Sequence, residues 1–406
     1  MERPVNEAPG PATWTKGAAS AGARQAPKSA RPFADIAIFD DPAMARAAYQ
    51  EIGADALATP YQDRRFVEAW LRTIGAAQKI EPMIVVARDD QGSVTAILPF
   101  GLSQRAGFRT AAFVGAKHAN FHMGLFRRGL IVNRRDVNDL LNRIARLHRL
   151  DALLLVNQPR TWQGESNPLA ALARQESPSQ GHATKLPGRF DDWFKAHYSK
   201  NAQKRLRKKA RRLADRGSVS AVVARDDAMA RRVLQAFFAQ KGEQAEATLL
   251  ANDFRVPEAR RLLEIVATER PTVGRPTLEL HALFCGERII ATFGGLAAAG
   301  RFCGMITSFE SDPDIARSSP GELLILEVIR DLIDRGFATF DLGVGEARYK
   351  DNCCELVEPL SDLAIGFTTK GRFLAAAFRL RRLAKRWTKQ TPWAWRLAKA
   401  LLRRKR

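Results

Sequence analysis

The stretch FDLGVGEARYKDNCCE, residues 340–355, passes within a few positions from an apolar segment to a cluster of reactive side chains. Phe340 to Val344 has the apolar character of a buried strand. The groups that follow can donate, accept or hold charge, and they are Glu346, Arg348, Tyr349, Lys350 and Asp351. Carboxylate, phenol and ammonium groups are the types that act in general acid–base chemistry. The segment therefore predicts a functional site at the end of a strand.

A second polar segment, ARSSPGELL, lies upstream of this strand and predicts the start of a helix. Ser319 suits the N-cap, Pro320 the first helical position, and Glu322 completes an S-x-x-E capping box. Gly321 allows a ligand to approach the backbone closely. Because a helix start offers free N–H groups and the positive end of the helix dipole, it is a place to hold phosphate. A plain, well-capped helix start is the alternative, and the sequence leaves both open.

Both halves of the chain show the element order β-α-α-β-β-β-α-β. In the first half the pattern runs from a strand at 36–40 to a strand at 151–157, and in the second from 218–224 to 337–343. Equivalent elements are separated by similar distances along the chain, which indicates two tandem copies of one fold. Three antiparallel strands followed by a helix must be completed by a strand parallel to the third. The helix start of the first copy, NRRDVNDLL, has neither Gly nor Pro, so the second copy is predicted to bind a phosphate-bearing ligand.

The net charge of +22 is concentrated in two segments. Residues 195–217 carry a net charge of +9, residues 366–406 carry +14 without one acidic residue, and the remainder is nearly neutral. The four cysteines form no CxxC pair, so neither a disulfide framework nor structural zinc is indicated and a reducing cytoplasm is favoured. No apolar run reaches 18 residues, and the first residues lack the apolar core of a secretory signal.

These patterns predict four regions. They are a disordered leader over 1–32, a first α/β domain over 33–188, a second over 189–366, and a basic helical tail over 367–406. In the tail, Phe373, Ala376, Leu380, Leu383 and Trp387 fall on one helical face. A cationic helix with this face suits an anionic membrane surface. Packing of the face on the second domain, and binding to RNA, are the alternatives.

The segments around SPG and FDLGVGEARYK resemble the SPG…YK signature of bacterial acyltransferases of the CelD/BcsL type, which belong to the GNAT superfamily and share a two-domain layout with FemAB-like transferases. Upstream, SKNAQKRLRKKARRLADRGSV resembles the basic helix before the family's second domain, and GERIIATFGG one of its strands. The resemblance covers about residues 35–365. It implies an α/β (α+β) fold of tandem GNAT-like domains, each a mostly antiparallel mixed sheet flanked by helices.

The resemblance further implies acyl transfer from acetyl-CoA or another acyl-CoA to a sugar, polysaccharide or envelope precursor in the cytoplasm or at the inner face of the membrane, without a metal. Such a reaction needs a proton acceptor, oxyanion stabilisation and an acid for the departing sulfur. Glu346 is the candidate base, Tyr349 the acid, and Lys350 the group that holds phosphate or the oxyanion. Asp341 is expected to orient its neighbours. The candidate coenzyme A ligands are Ser318, Ser319, Gly321 and Glu322.

Two other functions fit the same sequence. A FemAB-like enzyme would take its donor from aminoacyl-tRNA, and the cations of residues 195–217 would then contact RNA phosphates. The second alternative is a membrane or nucleic-acid binder that has lost its chemistry. Cys353 and Cys354, which replace a bulky family residue, suggest a covalent acyl-cysteine only weakly, because no partner is identifiable. The sequence does not specify the acceptor, the acyl length, N- or O-transfer, or the oligomeric state.

Overall fold

The computed structural model contains two units, Met1–Ala30 and Arg31–Arg406. The residues that it describes are 31–248, 254–269, 276–345 and 348–391. Almost all of the predicted disordered leader thus lies outside the described residues. All strands and helices described below belong to Arg31–Arg406.

The first half has the predicted element order, followed by four short strands. Its elements are β1 (Asp35–Phe39), α1 (Arg46–Ile52), α2 (Arg64–Trp70), β2 (Glu81–Arg88), β3 (Val94–Arg105), β4 (Phe108–Phe113), β5 (Leu125–Phe126), α3 (Arg134–His148), β6 (Ala152–Pro159), β7 (Thr161–Trp162), β8 (Glu165–Ser166), β9 (Gln175–Glu176) and β10 (Gly181–Lys185). A reciprocal capping box starts α3, where the Asn133 side chain accepts from Asp136 N–H and the Asp136 carboxylate accepts from Asn133 N–H.

The second half repeats the order and ends in a long helix. Its elements are α4 (Phe190–His197), α5 (Lys200–Ala214), β11 (Val219–Val223), α6 (Asp227–Thr248), α7 (Pro257–Thr268), β12 (Glu279–Cys285), β13 (Arg288–Ala298), β14 (Arg301–Phe309), α8 (Pro313–Ala316), α9 (Pro320–Asp334), β15 (Thr339–Val344), α10 (Arg348–Cys353), β16 (Leu356–Glu358), β17 (Leu360–Gly366) and α11 (Thr369–Gln390). The basic segment 195–217 is divided between two helices, because Tyr198 is extended and Ser199 caps a new helix, α5.

Two mixed sheets confirm the predicted fold class, and the pairing within them is mostly antiparallel. The first has the order β1-β2-β3-β4-β6-β17-β9, with β5 paired to β3, and the second has the order β11-β12-β13-β14-β15-β10-β16. Each contains one parallel pair, β4 with β6 and β14 with β15. These are the strands joined through α3 and α9, as a crossover connection requires.

The two halves exchange strands, which the sequence did not predict. β10 comes from the first half but pairs with β15 in the second sheet, and β17 comes from the second half but pairs with β6 in the first. The domain boundary between residues 188 and 189 therefore stays a prediction, since one strand on each side of it lies in the other sheet.

The helices cover the sheets with apolar faces. Helix α9 buries one side, including Leu324, Val328 and Ile329, against β12, β13 and β14. Helices α2 and α7 pack against each other and contribute Trp70 and Leu263 to one core cluster that extends across both halves. This shared core fixes the first half against the end of β15.

Helix α11 packs on the first sheet against β17 and β6. The alternative in which its predicted apolar face packs on the second domain is wrong, because Phe373, Leu380 and Trp387 of that face are exposed. Gly371 lies so close to the Asp151 carbonyl that an added Cβ would be 1.8 Å from its oxygen. Arg382 pairs with the buried carboxylate of Asp362 at 2.5 Å. The tail thus docks through glycine and arginine, and its predicted apolar face points outward.

Candidate functional site

The parallel strands β14 and β15 separate after three residue pairs. Their pairing starts at Arg301 with Thr339 and ends at Cys303 with Asp341, although both strands continue. Buried backbone N–H and C=O groups need other partners wherever a ladder ends. The divergence creates a fork between the remaining parts of β14 and β15, and the polar cluster noted in the sequence follows directly after this fork.

Asn120, from the loop between β4 and β5, lies in the fork. Its side-chain amide donates to the carbonyl of Gly304 on β14 at 2.7 Å, and its side-chain oxygen accepts from Val344 N–H on β15 at 3.4 Å. It also donates to the Tyr61 hydroxyl at 2.9 Å. A Cβ on Gly343 would come within 2.6 Å of Asn120, and Gly343 has a φ of +79°, so glycine is required there. One side chain of the first half thus bridges both strands of the second.

Asp341 marks the closed end of the fork and is completely buried. Its carboxylate pairs with Arg301 and accepts from Gly343 N–H at 2.5 Å. Arg301 also pairs with Glu358 at 2.7 Å and lies 4.0 Å from the ring centroid of Trp162. Burial raises the pKa of Asp341 to about 6, although the Arg301 guanidinium opposes the shift. Asp341 thus holds the Arg301 guanidinium and the Gly343 N–H, and its role in orienting catalytic neighbours stays a prediction.

Lys350 is buried and holds the backbone that follows the fork. Its ammonium group donates to the carbonyls of Gly343 at 3.1 Å and Gly345 at 2.9 Å. These contacts make it a clamp on the end of β15. Glu346 lies outside the described residues, and the same holds for the side chain of Tyr349. Their roles as base and acid stay predictions.

The start of α9 lies at the far end of β14, where a Cβ on Gly321 would be 3.4 Å from the ring of Phe309. The predicted capping by Ser319 is wrong. Ser319 is left-handed, with φ 52° and ψ 56°, and its side chain makes no capping hydrogen bond. Instead, Lys209 of α5 donates to the Ser319 hydroxyl at 2.8 Å and to Glu322 at 3.1 Å. The basic helix α5 and the start of α9 therefore form one cationic site.

The neighbouring Ser318 is completely buried, and its hydroxyl has no hydrogen-bond partner in the described part of the chain. A buried hydroxyl without a partner is costly, and such groups in a folded protein call for an explanation. Its position directly before α9 makes it a candidate contact for a polar ligand. All four residues predicted to bind the cofactor thus lie at one helix start, beside the end of β14 and supported by Lys209.

A cavity of about 430 Å³ lies beyond the other strand of the fork. Gly345 borders it at the end of β15, Gln180 before β10, and Arg386 and Lys389 on α11. Gly345 N–H donates to the Gln180 carbonyl at 3.0 Å, which fixes this wall. The cavity therefore lies at the end of β15, and its charged lining consists of Arg386, Lys389 and Glu176.

One cluster has the donor types of a metal site, namely Glu279, His281 and Asp331. Arg335 already donates to Glu279 at 2.7 Å and to Asp331 at 2.6 Å, and His281 bonds to Glu279 at 3.0 Å. Burial opposes ionisation of Glu279, but hydrogen bonds from His281 and Arg335 lower its pKa to about 2. Arginine supplies the positive charge in this cluster.

Sequence reasoning missed Asn120, Tyr61, Arg301 and Lys241. Lys241, on α6, donates to the Thr307 carbonyl of β14 at 3.5 Å, and burial lowers its pKa. Burial also raises the pKa of the Tyr61 phenol, which therefore stays neutral. None of the four belongs to a motif, and only the pairing of the sheets brings them to the fork.

Comparison with known families places the fork inside a matched segment. Residues 200–351 match the model of the acetyltransferase (GNAT) domain family. No sequence among the curated proteins matches the chain. The match supports a GNAT-like domain in the second half of the chain. It does not extend to the narrower CelD/BcsL type.

Two solved structures share the fold at low identity. The crystal structure of FemX has 11% identity and a TM-score of 0.54, and the match covers 79% of this chain and 98% of FemX. The C-terminal domain (DUF2156) of a putative lysylphosphatidylglycerol synthetase from Agrobacterium fabrum has 12% identity and a TM-score of 0.50, with 85% of this chain and 96% of that domain covered. Together they show that the chain shares the fold of these two proteins.

We expect Asn120→Asp to lower the free energy of unfolding by about 1–3 kcal/mol, because a carboxylate cannot donate to the Gly304 carbonyl. The variant keeps the shape of the side chain, so the loss combines the missing hydrogen bond with the burial of a new negative charge. Urea denaturation measures the change, with Asn138→Asp on the exposed side of α3 as a control. Equal stability of Asn120→Asp and the wild type would show that the bridge contributes nothing to the fork.

The raised pKa of Asp341 predicts a pH dependence of stability. Because its pKa is about 6 when folded and 3.8 ordinarily, the folded state binds the proton more tightly. The resulting stabilisation is complete below about pH 4 and is lost as the pH rises through about 6. The stability advantage of the wild type over Asp341→Asn should thus fall by up to about 3 kcal/mol between these values. Urea denaturation across this range checks it, and an advantage that rises with pH would contradict it.

Proposed function

We propose that the protein is an acyltransferase of the GNAT type that transfers an acyl group from acetyl-CoA or another acyl-CoA to an amine or hydroxyl acceptor. The observation that carries the proposal is the fork between β14 and β15, beside the cationic start of α9, within the residues that match the acetyltransferase model. The donor supplies an activated acyl group. The protein must bind the phosphates of the donor, hold the thioester and accept the proton of the attacking group.

The start of α9 is the proposed phosphate site. Lys209 brings an ammonium group to it, and Gly321 leaves space beside the backbone of the first turn. Glu322 now accepts from Lys209, so a bound phosphate would compete with a carboxylate for this cation. The exposed cations of α5, including Arg205 and Lys208, would extend the site toward a donor with several phosphates.

The fork is the proposed place for the thioester. Strand β14 ends beside the start of α9, whereas β15 ends beside the cavity bordered by Gly345. A donor held at α9 and an acceptor in the cavity would meet between them. Glu346 is proposed to take the proton of the attacking group and Tyr349 to protonate the departing thiolate. Lys350 is proposed to act through the end of β15, where it holds the carbonyls of Gly343 and Gly345.

The proposed acceptor is a sugar, polysaccharide or cell-envelope precursor, on the basis of the CelD/BcsL-like signature. Cations at the cavity support an acceptor with negative charge. Arg386 pairs with Glu176 and Lys389 donates to Ser179, so such a group would compete for these cations while the Arg382–Asp362 pair holds α11 in place. We further propose that this reaction takes place in the cytoplasm, at the inner face of the membrane.

Aminoacyl-tRNA is the second candidate donor, and α5 is the observation that favours it. Lys204, Arg205, Arg207, Lys208 and Arg211 of this helix are all exposed. A basic helical face of this kind can follow a nucleic-acid backbone. The fold shared with FemX is compatible with such a donor, and the same fork would serve the transfer.

Thermal unfolding with candidate donors tests the proposal directly. A ligand present at about one hundred times its dissociation constant adds about 2.7 kcal/mol of stability. We expect acetyl-CoA or a longer acyl-CoA to raise the melting temperature, and Gly321→Val to remove most of this shift by filling the space beside the first turn. Gly321→Ala is the matched control for folding, since its Cβ makes an ordinary contact with Phe309. A shift with tRNA alone would select the second donor.

Single substitutions test the proposed chemistry. Glu346→Gln and Tyr349→Phe remove one ionisable group each with little change in shape. We expect each to lower kcat by at least about tenfold while donor affinity stays near that of the wild type, because these groups act in the transition state. Turnover with a thiol-detecting reagent measures release of coenzyme A. Normal turnover in both variants would make the segment after β15 purely structural.

A further inference from the structure

Helix α11 presents a stripe of large apolar side chains to solvent. The exposed fractions are 73% for Phe373, 66% for Leu380, 48% for Leu383 and 55% for Trp387. Spacings of seven, three and four residues place them on one helical face. Large exposed apolar patches on a folded chain mark an interaction surface. We call these four side chains the α11 stripe.

The opposite face of α11 is fixed by contacts that leave the helix no freedom to turn its stripe inward. Gly371 abuts the Asp151 carbonyl, Arg382 pairs with the buried Asp362, and Arg386 pairs with Glu176. Rotation of the helix would break a buried ion pair, and leaving Asp362 buried without its cation is costly. The arrangement is unusual for a surface helix, because arginines face the protein and apolar side chains face outward.

Cations border the stripe on both sides. Arg381 lies on one border and Arg372 on the other, and both are exposed. From residue 366 to the end of the sequence there are fourteen cations and no acidic residue, with two further tryptophans at 393 and 395. An apolar face flanked by long cationic side chains matches the interface of an anionic lipid bilayer, where the apolar groups enter the acyl region and the cations reach phosphate.

We propose that the α11 stripe is a docking surface for an anionic membrane, with α11 lying in the plane of the interface while its arginine face stays attached to the first sheet. Within the described residues no helix is both long and apolar enough to cross a bilayer, so the contact would be peripheral. The proposal does not depend on the acyl donor. It assigns one side of the molecule to the membrane. The cavity bordered by Arg386 and Lys389 lies at the end of the same helix.

The other occupants of such a stripe fit less well. A second copy of this chain would place two arrays of cations against each other, since the borders of the stripe carry no acid to pair with them. RNA would use the cations but gains little from phenylalanine and leucine on a helix surface. An anionic lipid surface uses both the apolar and the cationic parts.

The test is sedimentation with phosphatidylglycerol vesicles, with phosphatidylcholine vesicles as the neutral reference. Two variants of the full chain are compared with the wild type. The triple variant combines Phe373→Ser, Leu380→Ser and Leu383→Ser, and the single variant carries Leu380→Ser alone. Ile131→Ser, at a large exposed apolar residue outside the tail, is the matched control. Circular dichroism and the melting temperature verify folding, which truncation of α11 would endanger.

Wild type and Ile131→Ser are expected to pellet with phosphatidylglycerol and much less with phosphatidylcholine. Because each apolar side chain that leaves water contributes roughly tenfold in partitioning, the triple variant should bind at least about one hundredfold more weakly and Leu380→Ser about tenfold. Arg381→Glu should weaken binding at low salt in particular.

Three results would overturn the proposal. Equal sedimentation of the wild type and the folded triple variant would place membrane binding elsewhere in the chain. A wild-type dimer that the triple variant converts to a monomer, without vesicle binding, would assign the stripe to a second copy. Retention of RNA by both proteins, again without vesicle binding, would assign the charge to nucleic acid.

Discussion

The structure depends on one constraint, which is that two parallel strands separate while their backbone groups remain buried. Past Cys303 and Asp341, β14 and β15 are no longer paired with each other, and each N–H or C=O group left unpaired must find another partner. Asn120 serves both strands, the Asp341 carboxylate serves Gly343, and Lys350 serves the carbonyls beyond it. The fork is stable because side chains replace the missing strand contacts, and a ligand that entered it would meet a backbone already held open.

The two halves are coupled by reciprocal exchange of strands. Because β10 completes the second sheet and β17 completes the first, neither sheet is assembled from its own half alone. The Asn120 bridge and the contact of Arg301 with Trp162 lie where the halves meet. A tandem repeat could have placed its copies side by side, but here the first half contributes directly to the proposed site of the second. This coupling gives the first half a function even if it binds no ligand itself.

The positive charge of the chain has two different uses. In α11 the arginines that face the first sheet are paired with Asp362 and Glu176, and they fasten the helix. In α5 most cations remain exposed, and Lys209 is directed to the start of α9. A count of charges cannot distinguish these roles, since a paired and an exposed arginine contribute equally to net charge.

The sequence by itself determined the element order, the tandem repeat and the amphipathic pattern of the tail, because local periodicity and turn residues set these features. It also placed Asp341, Lys350 and the start of α9 in the region that carries the fork. Tertiary structure decided the rest. Ser319 adopts the αL conformation between α8 and α9. The orientation of α11 depends on the buried carboxylate of Asp362 and on the Asp151 carbonyl, and these two contacts are more than two hundred residues apart in the chain. Asn120 reaches Gly304 because the first half packs against β14, and no spacing along the chain encodes a contact across 184 positions.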